Sequence, residues 1–375
     1  MKLLFALPGF HRYERGAEVA LLNVARNLAT DANVTVVGSG DHRADTPYRY
    51  IKAGAVPRER FEKFPSFPPL RTETAWEDAT FAANVLRRIH PGDYDAVVTC
   101  SFPFTHWALR RPLGGGRTKP VQVFVTQNGD WPAFSSVSEY RSFACDLLVC
   151  TNPDYEARNS ERYRTALIPN GVDLDRFGAD GVPAGGDRTD RDRARFGLPA
   201  DARIVLMVSA FIDSKRVDDG IAAVAAMPDA HLVVAGDGPR RDELTQTAER
   251  KMPGRFHRLS LTADRMPPLY RAADAFLHMS LLESFGNVFI EAWASGLPIV
   301  AHDTPRLRWI LGENTRFLCD TQNAAELSRQ LTAALAQGRG SPADGIARYD
   351  WSNIAADYKA AIVAAIAGRD GAARA

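Results

Sequence analysis

The chain has 375 residues, with 46 Lys and Arg against 45 Asp and Glu and a formal net charge of +1. That length accommodates two domains with large cores, and the 45% hydrophobic content is ordinary for a globular protein. The charge balance lacks the basic excess of a nucleic-acid binder, so no nucleic-acid partner is expected. The four cysteines, Cys100, Cys145, Cys150 and Cys319, form no CxxC pair and fit no zinc spacing. The first three sit in or beside apolar runs and read as reduced core residues of a cytoplasmic protein.

In chain order, MKLLFALPGF breaks at Pro8-Gly9 and runs at once into HRYER, so it reads as a buried first strand and not a leader. No apolar run is long enough to cross a bilayer. A helix is predicted over about residues 17–29, and VTVVGS, DAVVTC, VQVFVT and DLLVC supply later strands. This alternation predicts a parallel sheet with helices on both faces. Residues 61–69, FEKFPSFPP, form a loop carrying aromatics flanked by Lys63 and Arg71. It packs its rings on its own domain, closes over a ligand or touches a membrane. The Gly- and Asp-rich stretch 177–195 reads as a linker. Alternation then restarts with RIVLMVS, AHLVVAG, FHRLSL, AFLHMS and PIVAH. The expected division is 1–180, 196–350 and a terminal segment 351–375, whose helix over 351–366 packs on either domain. The fold class is α/β: two Rossmann-like doubly wound domains facing each other across a cleft, with ligands beyond the carboxyl ends of the strands.

The segment LLESFGNVFIEAWASGLPIVAHD carries the most chemistry. Ser284, Phe285, Gly286 and Asn287 form a turn into a helix that ends near Gly296. Its body, VFIEAWA, is apolar except for Glu291, so the helix is buried and the carboxylate needs a partner. A ribose diol or a core Arg would serve. The free N–H groups of the turn suit a phosphate. Glu283, just before it, either accepts hydrogen bonds from sugar hydroxyls or simply neighbours the helix cap. Lys215 and Arg216 open another helix, where cations are unfavourable unless an anion is present; Asp218 and Asp219 offer a local alternative. Gly236-Asp237-Gly238-Pro239 ends a strand without the G-x-G-x-x-G of a dehydrogenase. It makes a tight turn and permits close approach of a nucleotide. Asn128-Gly129-Asp130 follows another strand and reads as an Asn-Gly turn at the cleft edge. Asp173 and Asp175 form a D-x-D that reads as structural from its place before the linker, so no metal is expected.

The phrase ESFGNVFIEAWASGLPIV resembles the E-x7-E signature of the retaining GT-B glycosyltransferases of family 4. RGAEVALLNVARNLA, IPNGVDLDRF, SKRVDDGIAAV, VVAGDGP and PLYRAADAFLHMS resemble further phrases of that family in the same order. The resemblance implies transfer of a hexose-like sugar from a nucleotide-diphosphate sugar to a glycan, lipid-linked or small-molecule acceptor, as in polysaccharide biosynthesis. It implies retention at the anomeric carbon, no cofactor or metal, and a cytoplasmic place with peripheral contact at the inner membrane face. By the same resemblance Lys215 and Arg216 meet the diphosphate, and Gly16 allows close approach of phosphate or acceptor. Gly236, Gly238 and Leu261 lie near the base, and Ser284, Phe285, Gly286, Asn287 and Glu291 grip the donor. Glu283 and Asp130 join Lys215 as catalytic candidates, with Asn128 and Asp130 on the acceptor side. Three positions depart from the family: Arg15 replaces the first of two glycines, Ala210 stands where many members carry Arg, and HDTPRLRWIL lacks a Gly-Gly pair. They leave open an epimerase or phosphorylase of the same architecture, or an inactive nucleotide-sugar-binding subunit.

Overall fold

The computed structural model describes residues 1–67, 69–100, 103–110, 119–127, 129–134, 143–178, 187–340 and 345–372. The chain divides into two compact units, Met1–Gly171 with Trp351–Ala375, and Val172–Asp350.

The first unit runs β1 (Lys2–Ala6), α1 (Gly16–Leu28), β2 (Asn33–Gly38), β3 (Arg49–Lys52), α2 (Glu73–Leu86), β4 (Ala96–Cys100), α3 (Pro103–Arg110), β5 (Val121–Val125), β6 (Leu147–Cys150), α4 (Pro153–Asn159) and β7 (Thr165–Leu167). Its strands pair in parallel in the order β3-β2-β1-β4-β5-β6-β7. β1 lies between β2 and β4, with Leu3 level with Val34 on one side and Ala96 on the other. Leu3 and Phe5 feed one core cluster, Leu4 and Ala6 another. Successive side chains of a strand alternate in direction, so covering both faces requires a continuously apolar strand.

The second unit runs α5 (Leu174–Phe177), α6 (Asp187–Arg195), β8 (Arg203–Val208), α7 (Val217–Ala225), β9 (Ala230–Ala235), α8 (Arg241–Lys251), β10 (Phe256–Leu259), α9 (Met266–Ala272), β11 (Ala275–His278), α10 (Asn287–Ala294), β12 (Ile299–His302), α11 (Pro305–Leu311), β13 (Leu318–Cys319) and α12 (Ala324–Gln337). Its order is β10-β9-β8-β11-β12-β13. The same alternation sends Ile204 and Leu206 to one core and Val205 and Met207 to the other.

The expected linker over 177–195 is corrected. The unit boundary falls at Gly171–Val172, and α6 occupies part of that stretch. Its charges looked like those of a solvated connector but have partners in the fold. Arg193 is buried and donates to both oxygens of Asp274, at 2.7 and 2.8 Å. Asp192 accepts from Arg271 at 2.9 Å. Asp173 caps α5, its Oδ1 accepting from the Arg176 N–H at 3.1 Å.

The last helix, α13 (Trp351–Ala372), belongs to the first unit and packs on α1 and β5. Trp351, Ile354, Ala355, Tyr358, Ile362 and Ala365 recur at helical spacing and join the core of Leu3 and Phe5. It runs past the expected end at 366. In the aromatic loop, Phe61 stacks on Trp76 at 5.6 Å, with Phe64 and Phe67 edge-on to the same ring. Among the described residues no helix is long and apolar enough to cross a membrane.

Candidate active site in the second unit

The strand order of the second sheet reverses between β8 and β11, since β9 and β10 lie on one side of β8 and β12 and β13 beyond β11. Loops leaving such neighbours diverge at a switch point and open a crevice beyond the carboxyl ends. Lys215 comes from the loop after β8. Glu283 comes from the loop after β11. Their side chains meet there in an ion pair between the Lys215 ammonium and Glu283 Oε1.

Glu283 is held at two further points. His278, the last residue of β11, places Nε2 2.9 Å from the same Oε1. Arg306, in the first turn of α11, donates to the Glu283 carbonyl. Burial alone would raise the Glu283 pKa; the hydrogen bonds and charges of His278 and Lys215 outweigh it and pull the pKa down to about 2. The side chains of Lys215 and Glu283 remain 22% and 21% exposed, so the charged pair is reachable.

Gly286 sits at φ +83° just before α10, and a Cβ there would fall 2.6 Å from the Phe289 ring. A left-handed backbone and a packed ring together require glycine. The turn delivers Asn287 as the first residue of α10, leaving the N–H groups of the first turn at the positive helix end. Glu291 lies in the same helix, half-buried, and its Oε2 accepts from the Tyr270 hydroxyl at 2.7 Å. Burial raises the Glu291 pKa, against the pull of the Tyr270 hydrogen bond and the Arg176 charge. Its internal partner is therefore a neutral hydroxyl and not a core Arg.

Several expected site residues have defined structural parts. Arg216 takes a left-handed backbone at φ +50°. Its guanidinium donates to Asp219 at 2.6 Å and to the hydroxyl and carbonyl of Thr321 at 3.2 and 3.3 Å. It braces the start of α7 against the end of β13, which leaves Lys215 as the cation on Glu283. Phe285 is a core residue, edge-on to Trp309 and Tyr349, so only its backbone can serve a ligand. A Cβ at Gly236 would lie 1.9 Å from the Ser209 carbonyl oxygen, and one at Gly238 2.7 Å from that of Phe211. These glycines let the loops after β8 and β9 lie against each other. Leu261 packs half-buried on the second-unit core, and Ser284 is half-buried in the turn.

In the first unit, Gly16 is the exposed first residue of α1. Asn128 lies outside the described residues. Asp130 is buried, with Oδ2 accepting from Arg158 at 2.7 Å and Oδ1 from Asn159 at 2.6 Å. That geometry braces the turn after β5 onto α4. Reasoning from sequence missed His278, Arg306 and Tyr270. For His278 the one available signal was a histidine ending the apolar run AFLHMS, five residues before Glu283. Among the described residues no group of three or more His, Cys, Asp or Glu is placed to hold a metal ion.

Two parallel doubly wound sheets, the second with a charged pair at its switch point, define a protein of the GT-B class. Residues 188–352 match the family model of glycosyl transferases group 1, and residues 15–176 match that of glycosyltransferase family 4. The chain belongs to the group 1, family 4 glycosyltransferase family. It is 31% identical over 196 residues to the lipopolysaccharide core biosynthesis glycosyltransferase LpsE of Rhizobium meliloti, covering 51% of this chain and 53% of that protein. It is 30% identical over 329 residues to the D-inositol 3-phosphate glycosyltransferase of Mycobacterium tuberculosis, covering 80% and 63%. The chain thus spans from about half to just under two thirds of the length of these relatives. In fold it is similar to Anabaena HepE in complex with UDP and glucose, with TM-score 0.69, 20% identity and coverage of 97% and 100%. It is also similar to WaaG, a glycosyltransferase involved in lipopolysaccharide biosynthesis, with TM-score 0.64, 19% identity and coverage of 96% and 99%.

Proposed function

We propose that the chain is a retaining glycosyltransferase that takes a nucleotide-diphosphate sugar at the strand ends of its second sheet. The observation that carries this reading is the Lys215–Glu283 pair at the β8/β11 switch point. Lys215 supplies positive charge for the diphosphate and stabilises the negative charge that grows on it as the glycosidic bond breaks. Glu283, kept ionised, accepts hydrogen bonds from sugar hydroxyls. The N–H groups at the start of α10 hold phosphate oxygens. Glu291, with Tyr270 on one oxygen, accepts from the ribose diol.

The acceptor hydroxyl attacks the anomeric carbon from the face that the diphosphate leaves. The new C–O bond forms as the old one breaks, and the acceptor proton passes to a departing phosphate oxygen. Rate comes mainly from holding the two substrates together and from fixed charge. No metal takes part, so turnover persists in EDTA. The acceptor is a glycan, a lipid-linked sugar or a small molecule, met in the cytoplasm or at the inner membrane face.

UDP-glucose is the first donor to try, since Anabaena HepE has been crystallised with it. The test is a thermal-shift screen of nucleotide sugars, followed by NMR of the product formed from the best binder. Stabilisation by one nucleotide sugar and a product with the donor's anomeric configuration are expected. An inverted product would overturn retention. Binding without turnover on any acceptor would make the chain a binding subunit.

A further inference from the structure

We infer that His278 is a positioning residue for Glu283, holding its carboxylate through Nε2 when the Lys215 ammonium turns to the donor diphosphate. The inference rests on the roles proposed above for Lys215 and Glu283.

Two donors converge on one oxygen. Glu283 Oε1 meets the Lys215 ammonium, and His278 Nε2 lies 2.9 Å from it. The two donors differ in freedom. Lys215 extends a four-carbon stem from the last position of a short 3-10 turn, Asp213–Lys215. His278 is fixed in β11, level with Ala301 of β12. Its ring is 3% exposed, stacked 6.2 Å from Phe276 and edge-on to Phe289 at 4.8 Å. A diphosphate competes for the mobile cation and cannot recruit the buried ring. Once Lys215 has turned, Glu283 must stay aimed to meet the incoming sugar hydroxyls, and a carboxylate left with no fixed protein donor is free to rotate away. Arg306 donates to the backbone carbonyl of Glu283. His278 is therefore the side chain that keeps the carboxylate aimed during turnover.

A histidine that merely fills the core would affect folding alone. The test compares His278→Leu, which removes the donor, with His278→Gln, whose amide N–H reaches toward the place of Nε2. For each, kcat, KM for UDP-glucose, calorimetric UDP affinity and the melting curve are measured. His278→Leu is expected to lower kcat about ten- to hundredfold, the worth of a hydrogen bond to a charged group. UDP affinity stays near wild type, and His278→Gln recovers most of the loss. Unchanged kcat in His278→Leu would overturn the inference, as would a loss that tracks the melting temperature and is not restored by Gln. Glu283→Ala separates the two layers: normal turnover in that variant removes the role of Glu283 itself.

A second readout is independent of turnover. In 15N-imidazole NMR, UDP-glucose should shift the His278 Nε2 signal, and Lys215→Ala should show that shift without donor. A His278 signal unmoved by donor and by Lys215→Ala would sink the proposal.

Discussion

After β1 of the first sheet, the chain lays Glu18 of α1 against Gly9, so close that a Cβ on Gly9 would sit 1.9 Å from Glu18 Oε1. After β8, the equivalent central strand of the second sheet, it brings Lys215 onto Glu283. Each carboxylate lies near the exit of a parallel strand, Glu18 buried and Glu283 half-buried, yet their pKa values move in opposite directions. Glu18 Oε2 is buried without a hydrogen-bond partner among the described residues, and burial raises its pKa despite Arg15 and Arg58. Glu283 also feels burial, but His278 and Lys215 reverse it. Glu77 adds to the rise in the Glu18 pKa; elsewhere in the first unit His11 lies 3.0 Å from the Tyr48 hydroxyl and stacks 3.9 Å from Tyr50, its own pKa lowered by burial. One winding thus frames two carboxylates whose pKa values move in opposite directions. What decides between them is whether a fixed donor and a cation reach the carboxylate, not the topology.

The largest effect expected is that of Lys215→Ala. It should cut turnover at saturating UDP-glucose by about 10²–10³-fold. Near-normal turnover would break the contrast, because the Lys215–Glu283 end would then carry no special load. Next comes Gly286→Ala, which forces a left-handed backbone and a ring clash on the turn that presents Glu283. A loss of about 1–3 kcal/mol is expected, read as an earlier denaturant midpoint for the second unit. An unshifted midpoint would show that the turn yields freely.

Smaller shifts come from pH. The folded pKa of Glu18 lies above its ordinary 4.5. Its ionised form is therefore penalised in the fold, and stability falls as pH rises from about 4.5 through the folded value. Glu18→Gln should raise the melting temperature at neutral pH by a few degrees, with the gain gone by about pH 4. Glu283 has the opposite sign. Its contribution is full above 4.5 and fades as pH falls toward 2. Glu283→Gln should therefore lower the melting temperature at neutral pH, and the gap should close in acid. If both variants shift the same way at pH 7, the comparison fails. The smallest effect is that of Tyr270→Phe, which removes one hydrogen bond to Glu291. It should weaken UDP binding by only a few-fold, about 0.5–1.5 kcal/mol by calorimetry.

The sheets were legible because their signal is local. Runs such as KLLFAL and RIVLMVS alternate with helices and must be buried on both faces. Lys215, Glu283 and Glu291 were legible because each sits at a strand end or in a helix where a charge is out of place. What was not legible depends on contacts distant in the chain. Lys215 and Glu283 are 68 residues apart, and Arg306 reaches Glu283 across 23. Nothing in AFLHMS says that its histidine turns toward a carboxylate past the next turn. Arg216 and Phe285 look like ligand residues by position, and only packing shows that Arg216 also braces α7 and that the Phe285 ring belongs to the core. The segment around α6 misled for the same reason: Asp192 and Arg193 find their partners at Arg271 and Asp274, about 80 residues on.

The chain enters and leaves the second unit side by side. The Val172 N–H donates to the Tyr349 carbonyl at 2.7 Å, and Val172 pairs with Asp350 as a parallel bridge. Residues 172–350 are therefore an insert with adjoining ends. Such a cassette can be lifted out and replaced by the equivalent piece of another family member at two neighbouring splice points. The host would keep its closing helix α13.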